Sequence, residues 1–283
     1  MASTGFDSEF LPVTVEIPAP TDSRAVRMLP YVHFTVLQDP ARRLPVSTGV
    51  NIDGGALVDV EREDDWHLDP RIPASEQAGP ELYAGNDLDR GHQVRRRDPV
   101  WGDPAVAATA NAATFVYTNC APQVAVFNQS QELWAGLEDY VLGYARTSEQ
   151  KISVFTAPVL AADDPTYRGV RIPRLFWKVA AWTEHRANGT VALAATGYVL
   201  DQTPELDDVG LATRRALAAG DPPPLGPYKT YQVPIADIGA LTGLDVEQLA
   251  AADRFAPVAA PHAASGRAGW VRLASFDDIT LSA

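Results

Sequence analysis

Cysteine is almost absent from this sequence, since Cys120 is the only one among 283 residues. A single cysteine excludes an intrachain disulfide and any structural zinc site built on two or more cysteines. No apolar run is long enough to span a bilayer, and no basic stretch followed by an apolar one marks a signal peptide. We therefore expect no membrane partner and a cytoplasmic location as the sequence stands, or secretion if a signal was removed or a non-classical route is used.

Basic residues are also scarce. Lysine and arginine total 23 against 36 aspartates and glutamates, which gives a formal net charge of −13. This balance argues against a general nucleic-acid coat protein, although a local basic groove would still fit an acidic body. The apolar fraction of 46% is normal for a globular protein.

The order of predicted elements favours an α+β fold, because strand and helix runs are mixed without a regular βαβ alternation. Residues 1–28 are predicted to be an irregular lead-in and residues 29–283 a single domain. A long ordered loop is predicted at 61–87, and the first two predicted strands form a hairpin. Strands are predicted at 31–37, 45–52, 112–117, 152–159, 174–183, 190–200, 228–234 and 270–281. Helices are predicted from Asp103-Pro104 and at 129–145, 209–219, 235–241 and 245–253.

The run Asp89-Arg90-Gly91-His92 carries the first chemical signal. An imidazole titrates near pH ~6.5, so neutral His92 could take a proton from water. The planar fork of Arg90 could hold a phosphate, and Gly91 would let the backbone pass close to another group. The alternatives are a satisfied core histidine and a salt bridge from Arg90 to a neighbouring aspartate.

Two carboxamides follow downstream, Asn119 and Asn128. Their oxygens suit Mg²⁺, a hard cation that keeps most of its waters and needs few protein ligands. Each could equally be a turn or cap residue, and the glutamates of the following helix, Glu132 and Glu138, could simply face solvent. Cys120 is interpreted as a buried small apolar residue rather than as a nucleophile.

Together these motifs resemble the DNA/RNA non-specific endonuclease family, which includes endonuclease G. The resemblance covers roughly residues 30–245. It is carried by Asp89-Arg90-Gly91-His92, Thr118-Asn119-Cys120-Ala121-Pro122-Gln123, Phe127-Asn128-Gln129 and Trp134-Ala135-Gly136-Leu137-Glu138, in that order and at nearly the family spacing.

The resemblance implies a ββα-metal core on a mixed, mainly antiparallel sheet flanked by helices. It implies His92 as the general base that activates water for attack on phosphorus, with Arg90 near the scissile phosphate. Asn119 would orient His92 or the substrate.

The same resemblance implies Asn128 as the direct ligand of Mg²⁺, with Mn²⁺ as an alternative metal. Glu138 would hold water bound to the metal. The interval from Asn128 to Glu138 is two residues longer than in the best-known members, so Glu132 is a rival for this role.

The family's upstream phosphate-binding arginine has two candidates, Arg62 and Arg71. The function implied is Mg²⁺-dependent hydrolysis of DNA and RNA without sequence preference. The alternative is a catalytically inactive nucleic-acid-binding or partner-binding protein that retains the nuclease fold. A protein inhibitor and a homodimer are both compatible with the sequence.

Overall fold

The computed structural model describes residues 5–124, 145, 149–204, 206, 208–226, 229–255 and 269–281. Within these ranges, no helix is both long enough and apolar enough to cross a membrane. The strands are β1 Arg27–Tyr31, β2 Phe34–Asp39, β3 Leu44–Asp53, β4 Leu88–His92, β5 Cys120–Val124, β6 Lys151–Pro158, β7 Thr166–Tyr167, β8 Val170–Arg171, β9 Leu175–His185, β10 Val191–Asp201, β11 Lys229–Val233 and β12 Val271–Arg272. The α-helices are α1 Pro80–Tyr83, α2 Pro104–Ala113, α3 Val209–Ala219, α4 Ile235–Thr242 and α5 Glu247–Ala251, and short 3₁₀ helices lie at Gly54–Ala56, Ala74–Glu76, Tyr117–Asn119 and Phe276–Asp278.

The centre of the fold is an eight-stranded sheet in the order β1-β2-β3-β6-β9-β10-β11-β12. Each strand pairs antiparallel with its neighbours. A separate two-stranded sheet joins β4 to β5, and another joins β7 to β8. This arrangement confirms the predicted α+β class with a mainly antiparallel sheet.

Both faces of the large sheet are buried, and two apolar cores lie on opposite sides of it. Because side chains alternate along a strand, Val154 of β6 packs into one core and the next residue, Phe155, into the other. Phe176 and Trp177 of β9 divide in the same way. Double burial explains why the central strands are apolar at nearly every position rather than at every second one.

The two cores contain different partners for the sheet. Leu88 of β4 and Ala121 of β5 belong to the first core, so the small two-stranded sheet packs on that face. Leu11 and Val15 of the N-terminal segment join the second core, together with apolar residues of α4 and α5. The motif-bearing strands are therefore anchored on one face of a rigid scaffold.

Most predicted elements are confirmed. The predicted strands 152–159, 174–183 and 190–200 correspond to β6, β9 and β10, and the predicted helix 209–219 is α3. The predicted loop 61–87 is ordered, but it also contains α1 and a 3₁₀ turn. The helix from Asp103-Pro104 is α2, with the Asp103 side chain accepting from the backbone N–H of Ala105. Of the predicted helix 129–145, only Ala145 lies within the described residues.

The strand predicted at 112–117 is wrong. Helix α2 continues to Ala113, and Tyr117–Asn119 forms a 3₁₀ turn before β5 begins at Cys120. Phe115 and Val116 are buried, so this run is apolar because it is covered, without strand pairing beyond one isolated bridge. Burial of an irregular segment gives the same apolar pattern as a buried strand.

The strand predicted at 31–37 corresponds to β2, which forms the predicted hairpin with β3, but its start is wrong because β1 ends at Tyr31 and β2 begins only at Phe34. The chain reverses at His33, whose φ is 66°. The His33 ring stacks on Trp101 at 3.5 Å between centroids, and its Nδ1 lies 2.8 Å from the carbonyl oxygen of Pro99. These contacts hold a left-handed conformation at a position that has no glycine or asparagine.

Candidate active site

The two sequence motifs that contain His92 and Asn119 form one structural unit, because β4 pairs directly with β5. Arg90 lies opposite Pro122, Gly91 opposite Ala121 and His92 opposite Cys120. Side chains alternate along β4, so Arg90 and His92 share one face. The pairing thus presents a cation and an imidazole side by side.

Gly91 is required by a close approach, as its place between Arg90 and His92 suggested. A Cβ atom at this position would lie 2.1 Å from Cδ and 2.5 Å from Cγ of Gln123. Even alanine would force the Gln123 side chain to move. The glycine therefore lets the two strands pair with this side chain lying across them.

His92 is half-buried at the end of β4, and its Nε2 atom is fully covered. No hydrogen-bond partner for Nε2 exists among the described residues. Burial, followed by the positive charge of Arg62, lowers the pKa of His92 to about 3. The imidazole is therefore neutral at physiological pH and has a ring nitrogen without a described protein partner.

Trp66 lies at the centre of the aromatic surroundings of His92, and the sequence reasoning did not identify it. Its ring centroid is 4.7 Å from that of His92, and the guanidinium carbon of Arg90 lies 5.2 Å from its centroid. The Phe115 ring approaches His92 edge-on at 5.1 Å. Arg90 is exposed, so its guanidinium is accessible while it rests on the indole.

Asn119 is fully buried, and its side chain binds backbone groups. Its Oδ1 accepts from Val94 N–H at 2.9 Å, and its Nδ2 donates to the carbonyl oxygens of Val94 and Thr114, both at 3.0 Å. No hydrogen bond joins it to the His92 side chain within the described residues. Asn119 thus fixes the backbone two residues beyond His92, which is a positioning role.

The two candidate phosphate-binding arginines have different surroundings. Arg71 donates to both carboxylate oxygens of Asp69 and to the carbonyl oxygen of Pro30, and its guanidinium lies over Tyr31. Burial alone would raise the pKa of Asp69, but the hydrogen bonds from Arg71 and Tyr31 leave that pKa below its usual value. Arg71 is therefore occupied by structural contacts.

Arg62 is much more available. Its side chain is 63% exposed, and its ion pair with Asp64 is long, at 3.4 Å. Its guanidinium carbon lies 5.8 Å from the centroid of Phe115, the ring that also contacts His92. Arg62 therefore places a solvent-accessible cation beside the imidazole.

Cys120 is fully buried, as predicted, and burial raises the pKa of its thiol to about 12. Its sulfur lies 3.5 Å from the hydroxyl of Tyr83 and 3.5 Å from the carbonyl oxygen of Tyr117. A covered, protonated thiol is a poor nucleophile. The structure supports its interpretation as a core residue.

Comparison with known proteins decides the family. The family model described as DNA/RNA non-specific endonuclease matches residues 14–253, which is most of the chain. The chain belongs to the DNA/RNA non-specific endonuclease family. The paired strands β4 and β5 both lie within the matched range.

Individual relatives include an uncharacterized protein and two endonucleases. The chain is 38% identical over 273 residues to the uncharacterized protein y4fB of Sinorhizobium fredii, a match that covers 89% of this chain and 40% of that protein. It is 30% identical to mitochondrial endonuclease G of Bos taurus and of Homo sapiens, over 50% of this chain and 47% and 48% of those proteins. The chain thus spans less than half the length of these curated relatives.

A solved structure shares the fold of this endonuclease-family chain. A chain in the crystal structure of the EndoG/EndoGI complex superposes with a TM-score of 0.53 at 20% identity, over 79% of this chain and 88% of that one. At this identity the likeness concerns the fold, and it agrees with the mainly antiparallel sheet described above.

The residues that the sequence resemblance implies for the metal, Asn128 and Glu138 with Glu132 as rival, lie outside the described residues. Across the described ranges, no group of three or more His, Cys, Asp and Glu side chains could hold a metal ion. The described part of the site therefore consists of the imidazole, its arginines and the aromatic residues around them.

Proposed function

We propose that this chain is a metal-dependent endonuclease that hydrolyses phosphodiester bonds of DNA and RNA, with His92 as the general base. The observation that carries the proposal is the His92 imidazole: it is neutral, it has a ring nitrogen without a described partner, and it shares a face of β4 with the exposed Arg90. A neutral imidazole beside accessible cations suits proton removal from water at a bound phosphodiester.

In this mechanism, Arg62 and Arg90 bind the phosphate oxygens of the scissile group. His92 takes a proton from water as the water oxygen attacks phosphorus, the bond from phosphorus to the leaving 3′ oxygen breaks, and that oxygen takes a proton from a second, solvent water molecule. Asn119 holds the backbone beyond His92, through its bonds to Val94, so that the imidazole keeps its orientation. Because every contact is with phosphate or water, no base needs to be read.

The proposed metal is Mg²⁺, with Mn²⁺ as an alternative. The donor set suits such a cation, because Asn128 offers a carboxamide oxygen and Glu138, or its rival Glu132, offers carboxylate oxygens. When bound, the metal supplies positive charge that stabilises the leaving oxygen and the charge on the phosphoryl group.

The acidic body of the protein does not conflict with a polyanionic substrate. The net charge of −13 is a property of the whole chain, whereas Arg62, Arg90 and Arg96 all contribute positive potential at His92. Local field, rather than net charge, governs binding at a site. The positive charges around His92 therefore favour binding of nucleic acid at this face.

The test is digestion of supercoiled plasmid, total RNA and a single-stranded oligonucleotide with Mg²⁺, with Mn²⁺ and with EDTA. We expect cleavage of all three substrates with either metal and none with EDTA. Cleavage of a small phosphodiester without cleavage of any nucleic acid would indicate a phosphoesterase that acts on small substrates. Binding of nucleic acid without cleavage would indicate the catalytically inactive alternative.

We also propose that the chain binds a protein inhibitor and forms a homodimer. The inhibitor is supported only by the fold likeness to a chain of the EndoG/EndoGI complex. Light scattering after size-exclusion chromatography tests the dimer, and a mass equal to the 30.4 kDa chain would contradict it.

A further inference from the structure

The segment leading to Trp66 consists of charged residues, and the indole is the part that turns inward. Residues 61–65 have the sequence Glu-Arg-Glu-Asp-Asp, and all five are exposed, whereas Trp66 is half-buried. Beyond Trp66, a parallel bridge pairs His67 with Val116 and ties the segment to the site. Exposed charges keep residues 61–65 in water, so the Trp66 ring and the bridge at His67 anchor the segment.

The Trp66 ring contacts both functional side chains of β4. It lies 4.7 Å from the His92 ring at an interplanar angle of 52°, and the Arg90 guanidinium rests over it. Phe115 and Tyr117 support the indole at 5.5 Å and 5.8 Å between centroids. The indole therefore limits where the imidazole and the guanidinium can lie relative to each other.

A third functional side chain is connected through Asp64. One oxygen of this carboxylate, Oδ1, accepts from the Trp66 indole N–H at 3.1 Å and lies 3.4 Å from a guanidinium nitrogen of Arg62. Through Asp64, the indole thus links Arg62 of the long loop to Arg90 and His92 of β4.

We propose that Trp66 is the positioning residue that holds both phosphate-binding arginines, Arg62 and Arg90, in fixed relation to the imidazole of His92. The inference rests on the proposed function, because it assigns Trp66 a part in that same reaction. It predicts that loss of the Trp66 ring lowers kcat because Arg62, Arg90 and His92, although all still present, no longer keep their relative positions.

The experiment compares Trp66→Phe, which keeps an aromatic ring, with Trp66→Ala, which removes it. The matched control is Trp270→Ala: Trp270 is also a half-buried indole that donates to an aspartate and packs on an aromatic ring, but it lies beside β12. The kcat and KM of plasmid cleavage are measured for each folded variant. We expect Trp66→Ala to lose about 10- to 100-fold in kcat and Trp270→Ala to keep wild-type kcat. Trp66→Phe keeps the ring that contacts His92 and Arg90 but loses the N–H bond to Asp64, so we expect its kcat to lie between those of wild type and Trp66→Ala.

A second readout does not depend on activity. The ring resonances of the five histidines, labelled with carbon-13, are followed between pH 5 and 8, and His92 is assigned from the spectrum of His92→Ala. The charges facing His92 are Arg62, Arg90, Arg96 and Asp64, and none of them is altered. We expect His92 not to titrate in wild type and to begin titrating in Trp66→Ala, because loss of the indole reduces the burial that lowers the pKa of His92.

The outcomes separate the two proposals. If wild type cleaves nucleic acid, and Trp66→Ala keeps both wild-type kcat and a His92 resonance that does not titrate, the inference about Trp66 is overturned while the proposed function stands. If Trp66→Phe is as impaired as Trp66→Ala, ring contact is not the cause and the inference also fails. Wild type without activity refutes the proposed function. The titration of His92 in Trp66→Ala then still shows whether Trp66 controls the surroundings of the imidazole. If Trp66→Ala does not fold, Trp66→Leu takes its place with the same expected results.

Discussion

The role of Asn119 gives a prediction that the structure makes quantitative. Asn119→Ala removes three hydrogen bonds, two to Val94 and one to Thr114, and the side chain that makes them is completely buried. Each bond contributes about 1 kcal/mol net, and a buried partner left unsatisfied costs about 1 to 3 kcal/mol. We therefore expect a loss of about 3 to 5 kcal/mol in the free energy of unfolding, of which some is recovered where water enters.

For a chain of this size, such a loss lowers the melting temperature by about 6 to 15 °C. Calorimetry measures the change, with Asn188→Ala as control, because Asn188 is an exposed turn residue whose side chain accepts from the nearby Thr190. We expect the control to change the melting temperature by no more than about 2 °C. At a temperature where Asn119→Ala is fully folded, kcat should also fall, because Val94 and therefore the end of β4 are no longer fixed.

The opposite pattern would refute this reasoning. If Asn119→Ala melts within about 2 °C of wild type but loses turnover or raises the Mg²⁺ concentration needed for half-maximal rate, Asn119 acts on substrate or metal. The hydrogen bonds described here would then not represent its main contribution.

Three further predictions concern the site. His92 has a pKa lowered to about 3 and acts in its neutral form, so kcat/KM should stay level as pH falls from 8 to about 5; an acid limb with a midpoint near 6.5 would contradict this. Arg62→Gln should raise KM for an oligonucleotide about 10-fold with little change in melting temperature, whereas Arg71→Gln should lower the melting temperature and leave KM unchanged. Titration of rate against Mg²⁺ should show a larger shift in half-saturation for Asn128→Ala than for Glu138→Ala, and equal shifts would place both residues in the same role.

Much of the fold could be predicted from the sequence because local signals agreed with burial. Asp103 followed by Pro104 marks the start of α2, and the cap geometry matches that signal. The long central strands β6, β9 and β10 were recognisable because apolar, β-branched and aromatic residues fill them where both faces of the sheet are covered.

The errors arose where tertiary contacts determine the backbone. The reversal at His33 depends on Trp101 and Pro99, which lie far away in sequence, and no local turn residue announces it. Phe115 and Val116 are apolar because they line the site and the core, which is a pattern that a buried strand also produces. In both cases the deciding partner could not be inferred from neighbouring residues.

The candidate site was predictable in part. Arg90 and His92 were identified by residue type and motif, and their common face follows from strand alternation. Trp66 was missed, although one signal was available: it is an aromatic residue that directly follows five charged ones. Its contacts with His92 and Arg90 depend on the path of the long loop, which no sequence period specifies.

The central claim is that His92 serves as the base of a metal-dependent nuclease. The most direct measurement is the initial rate of plasmid relaxation with Mg²⁺ for wild type, His92→Ala and His185→Ala, the last being a matched change at an exposed histidine at the end of β9. At a temperature where every variant is fully folded, we expect His92→Ala to lose at least about 100-fold in rate and His185→Ala to keep its rate. A His92→Ala protein that cleaves at the wild-type rate would contradict the account.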